Sequence, residues 1–232
     1  MKPACFFEND PSRALWRRAG AECVGTALLL AAAVGGGLAA ERSGAAPAIA
    51  APMIAASISG ALVGLIVALG PVSGGHFNPL ISALQWLAGE RTGRCAAAYI
   101  AAQVVGGLVG AVLAGALAPA ATRSATAGSL PFGASEALAA FALMLVVFAV
   151  ARGAPRSTGP FAVGAWLFAA ILAFPSGSLA NPAVAIAAMA ASGPLTLTSG
   201  AALAAVAAEA LGGLAALGVI ASLGVRPAMA RP

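Results

Sequence analysis

Charge is scarce in this sequence: only 8% of its 232 residues are Asp, Glu, Lys or Arg, against roughly a quarter in soluble domains. That shortage, with 61% apolar residues, excludes an ordinary soluble domain and implies an integral membrane protein. The twelve basic residues are scattered, without a stripe interleaved with aromatics, so a net charge of +5 does not mark a nucleic-acid binder. Cysteine is just as sparse. Cys5, Cys23 and Cys95 have unrelated spacings, which excludes a CxxC pair, a metal-ligand cluster and a disulfide framework. His76 is the one histidine, and no serine or carboxylate is arranged near it in sequence to form a catalytic constellation. No metal site, cofactor or enzyme activity is expected. Residues 1–14 are polar, and no cleavage site follows the first apolar run, so that run is expected to be a retained span rather than a signal peptide.

What the sequence has is long apolar runs. A helix needs about 20 apolar residues to cross a bilayer, and runs of about that length occupy 15–40, 49–70, 95–119, 132–152, 158–175 and 199–224, the fifth being the shortest. Two apolar pieces are left over, 78–89 ("NPLISALQWLAG") and 181–192 ("NPAVAIAAMAAS"), each about half a bilayer long. Each begins with Asn-Pro. Proline suits the first turn of a helix, where its missing N–H is not needed, so these pieces are expected to be half-helices starting at Asn78 and Pro79 and at Asn181 and Pro182. Non-helical backbone at membrane depth is tolerated only where it lines a cavity or is buried in protein.

With six spans, the N-terminus, the 90–94 loop, the 152–156 loop and the C-terminus share one side. That side carries Lys2, Arg13, Arg17, Arg18, Arg91, Arg94, Arg152, Arg156, Arg226 and Arg231, while Arg42 and Arg123 fall on the other. The positive-inside rule then places both termini in the cytoplasm. The two half-helices enter from opposite sides.

An internal repeat has three anchors. "AAQVVGGL" (101–108) matches "AAEALGGL" (207–214) at an offset of 106, Glu22 in "AECVGTALLL" matches Glu136 in "SEALAAFALM" at 114, and the Asn-Pro pairs stand 103 apart. Each half holds an odd number of spans, so the halves must be inverted relative to each other. Inverted repeats with broken helices meeting near the midplane mark a transport site. The expected organisation is one membrane domain over residues 1–232, with repeats at approximately 15–119 and 130–225. Gly60 with Gly64, and Gly106 with Gly110, have the spacing for close helix packing.

The motifs "AECVGT", "SGGHFNP", "AAQVVGG", "SE" before the fourth span and "SLANPA" resemble the aquaporin, or major intrinsic protein, family over roughly residues 16–225. The resemblance implies an all-α membrane fold of six helices and two re-entrant half-helices, one pore per subunit, a homotetramer and, for a bacterial chain, the inner membrane. It implies that Asn78 and Asn181, with Pro79, Leu80, Pro182 and Ala183, form the paired pore motifs. It also implies that Gly74, Gly75, His76 and Gly177 supply pore-lining carbonyls, and that Glu22 and Glu136 brace the pore loops. Glu209 matches Gln103 in the repeat, and the sequence suggests no role for it.

Two departures bear on selectivity. Leu80 stands where the family usually has alanine, and Val184 stands where its outer filter usually has arginine. The other filter positions, carried over by spacing, are Ile58, Ser178 and either Ala169 or Ala170. A wide, largely apolar, aquaglyceroporin-like filter is expected, passing glycerol, urea, metalloid acids such as arsenous acid, and water. The alternatives are an ordinary water-selective aquaporin and, from a different class, a proton-coupled secondary transporter using the membrane glutamates. Small neutral solutes, water and the lipid bilayer are the expected partners, with no nucleic acid.

Overall fold

The computed structural model describes residues 7–117, 128–153, 155 and 157–225. Within them lie α1 (Leu15–Arg42), α2 (Pro47–Ser73), α3 (Pro79–Leu87), α4 (Gly93–Ala116), α5 (Leu130–Gly153), α6 (Gly159–Ala173), α7 (Pro182–Ala188) and α8 (Ser199–Ser222), with a 3₁₀ turn at Gly193–Leu195. Lys2, Cys5, Arg123, Arg156, Arg226 and Arg231 lie outside the described residues.

Helices α1, α2, α4, α5 and α8 are long and apolar enough to cross a membrane. The fifth expected span is shorter than its apolar run. Helix α6 has 15 residues, about 22 Å at 1.5 Å per residue, because Phe174 already takes up extended backbone ahead of Pro175. The residue before a proline is pushed out of the helical region by the pyrrolidine ring. The half-helices are also trimmed. The first ends at Leu87, ahead of Gly89 at φ 73°. The second is expected to reach residue 192 but ends at Ala188, and the chain turns through Gly193 at φ 73° into the 3₁₀ turn.

The helices pair in two matching sets. Helix α1 packs on α4 as α5 packs on α8, and α2 packs on α6 between them. Glycine makes the two close pairings possible. A Cβ at Gly106 or Gly110 would collide with the backbone carbonyls of Cys23 and Ala27 on α1, and a Cβ at Gly212 would collide with that of Ala137 on α5. The next glycines reach across the molecule. Gly107 of α4 lies against Ala183 and Ala187 of α7, and Gly213 of α8 lies against Leu80 and Leu84 of α3. Each half-helix therefore sits on a long helix from the other half of the chain. Gly60 and Gly64, expected to pack closely, instead face open space.

Large apolar side chains such as Leu28, Val105, Leu113, Leu203 and Leu211 are exposed on the outer surface. In water so much apolar surface would mark an interaction or aggregation site. Against hydrocarbon it is the matching solvent, and the helices satisfy their own backbone groups.

One end of the bundle is fastened by ion pairs. Glu8 is buried and bridges Arg18 at 2.6 Å and Arg91 at 3.1 Å. Phe7 beside it packs into the main core cluster and against Gly70 and Gly159. Arg152 at the end of α5 pairs with Glu90 and donates to the Val225 carbonyl at 2.7 Å. These contacts gather the start of α1, the loop before α4 and the ends of α5 and α8 at one end, with Arg42 at the opposite end of α1.

Candidate functional site

The two Asn-Pro corners meet inside the bundle. Each asparagine does two jobs with one side chain. Asn78 Oδ1 accepts from the Leu80 N–H at 2.9 Å and so caps α3, while its Nδ2 donates to the Ala180 carbonyl at 2.9 Å. Asn181 Oδ1 accepts from the Ala183 N–H at 3.0 Å and caps α7, while its Nδ2 donates to the Phe77 carbonyl at 2.9 Å. Each amide thus holds the residue just before the opposite asparagine. An NH₂ group has two hydrogens, so each asparagine keeps a second N–H beyond this reciprocal tie. Pro79 and Pro182 open the two helices at positions where no N–H is required.

The loops leading to these corners have matching backbones. Left-handed φ occurs at Gly74 (100°), Gly75 (65°) and Phe77 (45°), and 103 residues later at Gly177 (77°), Ser178 (52°) and Ala180 (44°). Non-glycine residues pay for this conformation, at roughly 1–2 kcal/mol each, and such strain persists only where the surroundings over-determine it. The surroundings here are carboxylates and hydroxyls. Glu22 Oε1 accepts from Ser73 Oγ (2.6 Å) and the His76 N–H (3.1 Å), and Oε2 accepts from the Phe77 N–H (2.7 Å) and Gln103 Nε2 (2.7 Å). Glu136 accepts from the Leu179 N–H at 3.0 Å and the Ala180 N–H at 2.9 Å. Glu209 Oε1 accepts from the Asn181 N–H at 3.0 Å. All three glutamates are fully buried.

Serines repeat the pattern. Ser73 Oγ accepts from the Gly75 N–H at 3.2 Å, and Ser176 Oγ accepts from the Ser178 N–H at 3.2 Å. Ser73 is tied to Glu22, whereas Ser176 is tied to Ser135 at 2.8 Å. The His76 ring is a packing element: its Nδ1 lies 2.9 Å from Ser82 Oγ, and it meets Tyr99 edge-on with centroids 5.3 Å apart. Tyr99 donates to the Ser73 carbonyl at 2.7 Å, and Arg91 donates to the same oxygen at 3.1 Å. The carbonyls of Gly74, Gly75 and Gly177 accept no hydrogen bond among the described residues.

A cavity of about 330 Å³ runs from Asn181 toward the end of the molecule opposite the ion pairs. Ile58, Ile171, Val184 and Leu29 line it, with Ser178, Gly177 and Asn181 at its polar side. The Ser178 hydroxyl is buried and has no hydrogen-bond partner among the described residues. Ile58, Ser178 and Val184 are thereby brought together. Ala169 and Ala170 are not. Ala169 is exposed on the outer face of α6, Ala170 is buried without lining the cavity, and Ile171 supplies the α6 contribution instead. Spacing could not find Ile171, because the count from Asn181 back to α6 crosses a non-helical stretch. Leu80 packs into the core against Gly213. The Ser73 and Ser176 pair was missed although it shares the 103-residue offset of the asparagines.

A family model described as "Major intrinsic protein" matches residues 10–188. The chain is 38% identical over 176 residues, 75% of each chain, to the "Aquaglyceroporin AqpS" of Rhizobium meliloti (strain 1021). The crystal structure of the aquaglyceroporin from Plasmodium falciparum shares the fold, with a TM-score of 0.69 over 89% of this chain and 96% of that one at 17% identity. Tied asparagine caps, half-helices each seated on the other half of the chain, and a sequence match spanning most of the chain make this protein a member of the major intrinsic protein family, a family of membrane channels and not of enzymes.

Proposed function

We propose that the chain is a passive channel for small neutral solutes larger than water, with glycerol, urea and undissociated metalloid acids such as arsenous acid as the class, and that water also passes. The observation that carries this reading is the cavity wall. Ile58, Ile171 and Val184 leave about 330 Å³ with no cationic side chain on the wall among the described residues, and Ser178 and Asn181 supply hydrogen-bonding groups at one side. A polar solute shedding water needs replacement hydrogen bonds, since an unmatched polar group costs roughly 2–7 kcal/mol in an apolar site. The Ser178 hydroxyl, the second Asn78 and Asn181 N–H groups and the Gly74, Gly75 and Gly177 carbonyls are available to give them. The starts of α3 and α7 direct positive partial charge toward the tied asparagines, which disfavours cations while neutral solutes pass. Glu22 and Glu136 are committed as acceptors to pore-loop donors, which supports bracing over proton coupling.

The two halves are inverted repeats, both termini face the cytoplasm of a bacterial inner membrane, and the chain works as a homotetramer. The arginines gathered with Glu8 and Glu90 at one end support the orientation. The open face at Gly60 and Gly64 on α2 leaves room for a neighbouring copy.

Stopped-flow light scattering on proteoliposomes tests the reading. Glycerol and arsenous acid should enter faster than through protein-free lipid, linearly with their gradients. Saturable uptake driven by a proton gradient would overturn it. Val184→Arg should slow glycerol and arsenous acid more than water, because it adds bulk and five donors to the wall. An assembled Val184→Arg protein that passed glycerol at the wild-type rate would remove Val184 from the constriction.

A further inference from the structure

Glu209 is a buried carboxyl with one oxygen, Oε2, that the bracing of the pore loops does not use. It lies on α8, fully buried, three residues before Gly212, where α8 touches the Ala137 carbonyl of α5. Its Oε1 holds the backbone N–H of Asn181, and the neighbouring Glu136 holds those of Leu179 and Ala180. Two carboxyls from two helices therefore grip three consecutive N–H groups that end at a pore asparagine. Gripping adjacent N–H groups of one segment makes the two carboxyls neighbours. Neither takes part in an ion pair among the described residues.

Of the four oxygens in this pair, Glu209 Oε2 has no hydrogen-bond partner, while the other three each accept an N–H. Two bare carboxylates facing each other away from water gain no hydrogen bond and leave uncompensated buried charge. A proton on Oε2 removes both problems, because a protonated carboxyl gains one O–H donor. The first half of the chain shows the neutral equivalent. Gln103, at the position 106 residues before Glu209, donates from Nε2 to Glu22 Oε2 at 2.7 Å.

We propose that Glu209 is a positioning residue for Asn181: a proton-bearing carboxyl that accepts the Asn181 N–H on one oxygen and donates to Glu136 from the other. It fixes the second pore asparagine. The proposal rests on the channel reading, since its consequence is read as flux.

The experiment compares full-length wild type, Glu209→Gln and Glu209→Leu in proteoliposomes, after assembly is checked by size-exclusion chromatography. Glutamine keeps an acceptor for Asn181 and a donor for Glu136, so glycerol flux should stay within about twofold of wild type. Leucine leaves the Asn181 N–H unmatched, and flux should fall about tenfold. Infrared spectroscopy reads the proton directly: the wild type should show a protonated-carboxyl C=O band that shifts in D₂O and is lost in Glu209→Gln. An assembled Glu209→Gln protein as impaired as Glu209→Leu would overturn the proposal, as would a Glu209→Leu protein with wild-type flux or a band unchanged by Glu209→Gln. Should Glu209→Leu fail to assemble, the glutamine variant and the band still decide. Wild-type vesicles without facilitated flux would sink the channel reading instead, and the infrared result would stand apart from it.

Discussion

The first pore loop hangs from one carboxyl side chain and the second from two. Glu22 gathers four donors, from Ser73, His76, Phe77 and Gln103, at one point. On the other side the same job is divided: Glu136 takes two backbone N–H groups, Glu209 takes a third, and Ser176 turns to Ser135. The backbones these groups hold have the same sequence of left-handed residues. Loop conformation is therefore compatible with two different acceptor arrangements. The residue that accepts from a loop N–H can change while the loop keeps its backbone.

The largest effect should come from cutting the concentrated brace. Glu22→Leu leaves four buried donors unmatched, at about 1–3 kcal/mol each, whereas Glu136→Leu leaves two backbone N–H groups and the Glu209 O–H. Thermal unfolding in detergent should show the Glu22 variant more destabilised, if it assembles at all. Equal losses would mean that the divided brace is no more robust than the single one. Both Glu→Gln changes should keep some transport, because an amide oxygen still accepts.

The helix pairings should respond alike where the braces respond differently. Gly106→Ala and Gly212→Ala each push a methyl group into a backbone carbonyl of the partner helix, and overpacking of this kind costs about 1–3 kcal/mol. Gly60→Ala, with open space around it, should leave the protomer within about 0.5 kcal/mol of wild type. A clear difference between Gly106→Ala and Gly212→Ala in unfolding midpoint would show that the two pairings are not mechanically equivalent.

The smallest effect belongs to the one polar side chain that distinguishes the second loop inside the cavity. Ser178→Ala keeps the backbone and removes the free hydroxyl. Glycerol flux should fall about two- to threefold, in line with the roughly 0.5–1.5 kcal/mol net worth of a hydrogen bond, with stability unchanged. Flux at the wild-type level would show that the hydroxyl does not touch the solute.

Much of this fold could be read without coordinates. Apolar run length located the helices that cross the membrane, and Asn-Pro with proline at the first helical turn located both half-helices to within a residue at their starts. Their ends were harder, because apolar residues continue past Ala188 while Gly193 and Pro194 turn the chain. Asn78, Asn181, Glu22 and Glu136 stood out as polar residues in apolar surroundings. Ile171 could not, since an isoleucine in an apolar helix carries no mark of facing a cavity. Glu209 was conspicuous without being interpretable: nothing in its own helix reveals that it reaches the Asn181 N–H 28 residues earlier.

The reciprocal asparagine ties also bear on how the chain is made. Asn78 is joined to a residue 102 positions later, and Phe77 to one 104 positions later. When α4 leaves the ribosome, the Phe77 carbonyl and the Asn78 amide still lack the partners they will keep, and α3 lacks the α8 glycine on which it rests. The first half can insert, but its pore loop cannot settle until the last helix arrives. Contacts this distant in sequence slow folding, because loop closure comes before its reward. Biogenesis should therefore have a late step, in which both half-helices lock together. It also follows that the halves, expressed as separate polypeptides, have the surfaces to find each other in the membrane.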